Sequence, residues 1–175
     1  MKKKIIFFGV LFLILNYAQA QQTKTFDPKR DLDLVRMDKF VGTWEWKSKN
    51  TTYTLILKKW KAGDNFYVIA GWYRFIKDGK IVVDQLDNSN SIKHAGLTGT
   101  LTKENDSLNF SFKDLTRKEL RHGTLNFVNE NPGKILFKLK SEKRRQSLSE
   151  LGTKSGKLSA EKVPHDLNII LNKVE

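Results

Sequence analysis

An all-β antiparallel barrel of about nine strands, in a single domain, is what this sequence predicts, and three observations carry the prediction. From Phe40 onward apolar and polar residues alternate with period two, the spacing that sends successive side chains to opposite faces of a sheet. Turn-forming residues recur at short intervals between the alternating runs. A Gly-x-Trp, Gly42-Thr43-Trp44, stands in the first run. A closed barrel is preferred to a sandwich because closure removes exposed strand edges.

The elements follow in order. In Phe40-Val41-Gly42-Thr43-Trp44-Glu45-Trp46, Trp44 and Trp46 share one face and Glu45 takes the other, toward solvent. Tyr53, Leu55 and Leu57 alternate with Thr52, Thr54, Ile56 and Lys58 in a second strand ending near Trp60, and Ala62-Gly63-Asp64-Asn65 is its turn. The third strand, 66–75, is apolar on both faces: Phe66, Val68, Ala70 and Trp72 on one, Tyr67, Ile69, Tyr73 and Phe75 on the other. Both faces should therefore be covered. Asp78-Gly79 fits a tight hairpin turn whose central residues need positive φ, and a fourth strand starts at Ile81. After the polar loop 87–91, Leu97, Gly99 and Leu101 form the fifth strand, with a turn at Glu104-Asn105-Asp106. Leu108, Phe110 and Phe112 form the sixth, Leu125 and Phe127 the seventh, and Ile135, Phe137 and Leu139 the eighth, with Asn131-Pro132-Gly133 as the turn before it. Residues 146–164, rich in Ser and Gly among scattered charges, read as a long mobile loop, and Leu167, Ile169 and Leu171 close the chain.

Ahead of the barrel domain, placed at 39–175, lie two other segments. Lys2-Lys3-Lys4, the apolar run 5–15 and Ala18-Gln19-Ala20 have the order of a secretory signal peptide cleaved after Ala20. The apolar run is shorter than the roughly 20 residues that span a bilayer, and no later run is longer, so no transmembrane segment is expected after cleavage. Residues 21–38 read as a loosely structured polar arm with at most a short helical lead-in at Leu32, Leu34 and Val35. The expected product is soluble and lies in the periplasm or outside the cell. It has no cysteine, so packing alone must stabilise it.

Net charge is +13, of which +10 remains once the three leader lysines are removed. The excess is spread evenly along the chain, with denser clusters at Lys58-Lys59-Trp60-Lys61, at Arg117-Lys118 with Arg121, and over 138–145. Surface charge for solubility is the plainest account of these clusters. Contact with anionic lipid or polysaccharide is the functional one. The export signal and the lack of a recognised binding motif speak against nucleic acid.

Catalytic chemistry finds little footing. His94, His122 and His165 lack the close spacing of a metal site, so no metal and no cofactor are expected. Gly-x-Ser-x-Gly and a phosphate-cradling Gly-rich loop are absent. Glu45, Asp84 and Glu104 could be paired for glycoside hydrolysis, but any chain with 19 acidic residues offers such pairs. An extracytoplasmic hydrolase would need His122 or His165 in a cleft with a carboxylate and a hydroxyl. No catalytic residue is assigned, and the chain reads as a non-enzyme.

Gly42-Thr43-Trp44, preceded by Phe40, resembles the opening strand of the calycins, the superfamily of lipocalins and fatty-acid-binding proteins. That resemblance implies a Trp closing one end of the barrel against a basic side chain near the last strand, with ligands entering at the other end. The second lipocalin signature, Thr-Asp-Tyr, and the Arg-x-Tyr that holds a fatty-acid carboxylate are absent, so no ligand contact is carried over. Over residues 35–175 the chain is also similar to a family of uncharacterised exported Bacteroidetes proteins, known only as a domain of unknown function. The residues carrying this are Phe40 to Trp46, Leu57-Lys58-Lys59, Gly71-Trp72-Tyr73-Arg74-Phe75 with Lys77, the run from Ser107 to Asp114, Asn131-Pro132-Gly133-Lys134, and 166–173. The similarity implies an exported lipocalin-like domain of no known activity.

Two functions remain. In the first, the barrel binds a small hydrophobic or amphipathic ligand, with Tyr67, Trp72, Tyr73 and Phe75 as candidate contacts. In the second, the barrel is solid and its basic surface meets a polyanion or a partner protein. Core packing is the alternative account of the aromatic residues, and the interior of the barrel distinguishes the two functions. Oligomeric state is left open.

Overall fold

The computed structural model describes residues 28–64, 66–102, 106–140, 162–164 and 166–174. The leader 1–20, the first part of the arm (21–27), Glu104, His165 and most of the 146–164 loop lie outside the described residues. Leu32–Glu175 forms one compact unit; of Met1–Asp31, only the opening of a helix is described.

That helix, α1 (Pro28–Asp38), is followed by nine strands: β1 (Gly42–Ser48), β2 (Thr51–Lys61), β3 (Tyr67–Lys77), β4 (Lys80–Asp84), β5 (Leu97–Leu101), β6 (Ser107–Asp114), β7 (Glu119–Val128), β8 (Asn131–Lys140) and β9 (Asn168–Val174). All pairings are antiparallel. Eight strands close on themselves in the order β2-β1-β9-β8-β7-β6-β5-β3, with β2–β3 completing the ring, and β4 lies outside it on β3. Eight strands give an interior just wide enough for side chains to fill.

Alternation places the side chains as the period-two pattern predicts. Leu55, Leu57, Leu108, Phe112, Leu125, Ile135, Phe137 and Leu171 are fully buried. The Asp78-Gly79 turn also matches, with φ of 50° and 74°. Two local readings are corrected. The turn before β8 falls on Asn129 and Glu130, both at positive φ (50° and 58°), and Asn131 already belongs to the strand. Pro132 lies where the β7–β8 register jumps from Val128–Asn131 to Phe127–Ile135. Its missing N–H is tolerated in that irregularity. The polar arm, in turn, ends in three turns of helix rather than a brief lead-in. Pro28 is pre-organised for a first helical turn, and Arg36 stands in the last turn, where it suits the helix dipole.

β4 and β5 run in the same direction along one edge of β3, β4 beside 74–77 and β5 beside 69–71. Between them the chain leaves the sheet in two short 3-10 turns, Leu86–Asn88 and Ile92–His94. Gln85 N–H donates to Tyr73 O and Gly96 N–H to Gly71 O, so the ladder resumes on both sides of the excursion. The excursion covers the outer face of β3: Trp72 Nε1 donates to Ser91 O at 3.2 Å, and Lys58 Nζ donates to Ser89 O at 2.9 Å. Its presence explains how β3 can be apolar on both faces.

α1 is tied to the barrel by charge. Arg36 Nε donates to Asp106 Oδ1 at 3.0 Å and Arg36 Nη2 to Thr102 O at 3.1 Å, while Lys39 also holds Asp106. The Lys39 and Arg36 hydrogen bonds pull the Asp106 carboxyl below its usual range. A depressed folded pKa means stability that is present above the ordinary carboxylate pKa near ~4 and is lost as pH falls through the folded value. In urea melts between pH 5 and pH 2.5, wild type should therefore lose stability below about pH 4 more steeply than Asp106→Asn. Parallel curves would remove this contribution.

Candidate functional site

The barrel interior is filled by rings. Tyr53 stacks on Tyr73 at a centroid distance of 5.8 Å and meets Phe137 at 5.5 Å; Tyr73 meets Phe112 at 4.8 Å, and Phe110 meets Phe137 at 5.0 Å. At the other end Phe127 packs on Phe40 at 4.7 Å and on Trp44 at 6.5 Å. Trp44 is fully buried and donates Nε1–H to Phe40 O at 2.8 Å. Lys173, on the last strand, lies 5.3 Å over its ring, a cation–π distance. Gly42 makes room for that lysine: its φ is +139°, and a Cβ there would fall 2.8 Å from Lys173 Cε. Gly42 and Trp44 thus belong to one end-closing arrangement, and Thr43 pairs with Val174 beside them.

The four ligand candidates do not share a surface. Tyr73 and Phe75 are buried in the core cluster, and Tyr67 packs against it half-buried. Trp72 faces the opposite way, sealed under the 86–94 excursion against Trp60 at 6.5 Å and Lys58 at 5.7 Å. The remaining acid and histidine candidates are likewise dispersed. Glu45 pairs with Lys47 at 2.6 Å and Asp84 with Arg74 at 2.7 Å. His122 Nδ1 lies 3.3 Å from Ser111 Oγ, and His94 sits in the excursion, where its carbonyl accepts from Gln85 Nε2. Among the described residues, no three His, Asp or Glu side chains gather as metal ligands would.

Concave surface lies on the outer wall. An open groove of about 460 Å³ crosses β5, β6 and β7 and reaches β8, lined by Thr98, Thr100, Asn109, Ser111, His122, Thr124 and Lys140 together with Gly99, Phe110 and Gly123. Thr98 pairs with Ser111 and Ser111 with His122; Thr100 pairs with Asn109 and Asn109 with Thr124. Hydroxyl, amide and imidazole groups therefore stand in two adjacent rows across three strands. Inside, Gly99 and Gly123 flank Phe110, whose ring occupies the space a Cβ at 123 would need. Two inward positions without side chains let the wall lie close on that ring. A second open pocket, about 740 Å³, adjoins Lys39, Asp106, Ser107, Asn126, Phe127, Glu130 and Pro132, and its Lys39 and Asp106 already pair with each other.

One sequence reading of surface charge is corrected here. Arg121, grouped with Arg117 and Lys118 as a basic surface cluster, is only 3% exposed and points inward beside fully buried Asp114. The signal was in the alternation: Asp114 continues the inward series 108, 110, 112, and Arg121 begins the inward series 123, 125, 127.

Fold and site together define a closed antiparallel β-barrel with a ring-filled interior, one end sealed by Trp44 and Lys173, and a polar groove on its outer wall. The chain belongs to DUF6705, a family of unknown function whose model matches residues 1–174. No curated protein and no solved structure matches it.

Proposed function

We propose that this protein is an exported, non-enzymatic binding module of calycin-like type, in which a solid barrel is the scaffold and the outer groove over β5–β7 is the site. The calycin kinship draws support from Gly42, Trp44 and Lys173, which stand in the relation that resemblance implies. Export rests on the order of charge, apolar run and small residues in 1–20. The observation that carries the functional reading is the contrast between an interior occupied by contacting rings and an outer groove along which hydroxyl, amide, imidazole and ammonium groups stand beside Gly99, Phe110 and Gly123. Of the two functions open from sequence, the solid-core one is the better supported.

The ligand class follows from the lining. Hydroxyls and an amide in rows across flat strands offer donors and acceptors to a polyhydroxylated chain, and Lys138 and Lys140 lie exposed at the groove's β8 side. An acidic polysaccharide suits that combination. The protein should be retained on immobilised acidic glycan and released by salt, because exposed charge pairs are screened within about 8 Å at physiological ionic strength. Lys138→Glu/Lys140→Glu should weaken retention about tenfold, the equivalent of losing roughly 1.4 kcal/mol. Equal retention of wild type and variant would remove the groove from the reading, and preferential binding to anionic vesicles would replace the glycan with a lipid surface.

A further inference from the structure

Where β6 turns into β7, polar side chains point into the barrel from four strands, β2, β3, β6 and β7, and their hydrogen bonds do not close. Asp114 is saturated: Oδ1 accepts from Thr116 N–H at 2.9 Å, Thr116 Oγ1 at 2.5 Å and Arg117 N–H at 3.2 Å, and Oδ2 accepts from Arg121 Nη1 at 3.4 Å. Tyr73 is satisfied too, donating to Lys113 O and accepting from Leu115 N–H, both at 3.3 Å. The 162–164 segment takes one donor from each arginine: Arg117 Nη2 gives to Val163 O and Arg121 Nη1 to Pro164 O, both at 3.2 Å. Left over among the described residues are the Tyr53 hydroxyl, Arg121 Nη2 and Arg117 Nε, all buried and without a hydrogen-bond partner.

Such leftovers are costly. A buried donor without an acceptor costs about 1–3 kcal/mol, and a charged one more. The two guanidinium groups share the one buried carboxylate, Asp114, at 3.4 Å from Arg121 and 3.6 Å from Arg117, while Arg117 also pairs with the 37% exposed Glu119 at 3.9 Å. Tyr53 stacks on Tyr73 at 5.8 Å, and the Tyr73 hydroxyl sits between Lys113 O and Leu115 N–H on either side of Asp114, so Tyr53 lies at this end of the barrel. Burial, with the charge on Asp114 adding to it, keeps the phenol protonated and hence a donor.

We infer that this cluster is a binding site for a small oxyanion, of carboxylate or phosphate class, which accepts from the Tyr53 hydroxyl and Arg121 Nη2. The occupant is small because Tyr53, Tyr73, Phe112 and Phe137 pack against one another on the barrel side. Val163 and Pro164 cover the site through their carbonyls. The site is separate from the outer groove and stands or falls independently of it.

Thermal melts in acetate and in phosphate, each against chloride at matched ionic strength, test the inference. Wild type should show a rise in Tm with one of the two anions that sets in near Kd and then grows as the logarithm of free anion over Kd, and that anion names the class. Tyr53→Phe breaks no bond the structure contains and should abolish the rise. Lys138→Glu/Lys140→Glu should keep it, which separates this site from the groove. No rise over chloride with either anion, or an equal rise in Tyr53→Phe, would overturn the inference. So would a crystal grown in the stabilising anion with a water, rather than the anion, bridging Tyr53 and Arg121.

Discussion

Phe137→Ala is expected to lower the free energy of unfolding by about 3–5 kcal/mol, the range for removing a large buried side chain from a packed core. Phe137 is fully buried on β8 and touches rings from two other strands, Tyr53 of β2 and both Phe110 and Phe112 of β6. Each neighbouring ring is held by its own strand, so the space left by truncation cannot close by rotation of one side chain. Gly123 limits movement further, since Phe110 already fills the room above it. Urea unfolding followed by tryptophan fluorescence measures the loss as a shift in midpoint at constant m. Phe137→Leu should retain more than half of it. A cost under about 1.5 kcal/mol for Phe137→Ala would mean that the interior yields easily, and the hydrophobic-guest function would regain the advantage.

The β-barrel was legible because alternation and turn chemistry agree along most of the chain. Tyr53, Leu55 and Leu57 point inward as their spacing requires, and Asp78-Gly79 turns where positive φ is needed. Even the doubly apolar β3 was readable as a strand covered twice. What covers its outer face was not, because the 85–96 excursion is held by carbonyls of Ser89 and Ser91 meeting Lys58 and Trp72, and main-chain acceptors leave no mark in sequence. α1 was underestimated for a different reason. Leu32 and Val35 are each 60% exposed while Met37 is buried, so the apolar spacing that announces a surface helix is absent, and its hold on the barrel is mostly ionic.

The site divides along the same lines. Trp44 could be read as an end plug, but the lysine above it could not be chosen from so basic a chain until β9 closed against β1. Tyr67, Trp72, Tyr73 and Phe75 were grouped by their strand, and the pleat separates Trp72 from the others. The inward arginine was masked by its neighbours: Arg117 and Lys118 give Arg121 the look of a solvated cluster, although its parity with Leu125 and Phe127 points into the barrel.

That inward pair gives the second large effect. Asp114→Ala should cost about 3–5 kcal/mol, because removing one member of a buried ion pair leaves the other charge desolvated without compensation. Here the loss is compounded. Asp114 also accepts from the backbone N–H groups of Thr116 and Arg117 and so shapes the β6–β7 turn, in which Lys118 holds a positive φ of 56°. Asp114→Asn keeps an acceptor for the turn and removes only the charge, so it should fall between wild type and Asp114→Ala. Adding Arg121→Met to Asp114→Ala should restore part of the loss, since the stranded guanidinium goes and an apolar chain of similar length replaces it. A double-mutant cycle in urea gives the coupling between the two sites. Strictly additive losses would mean that Asp114 acts through the turn alone, and that Arg121 owes its burial to the carbonyl of Pro164 rather than to the carboxylate beside it.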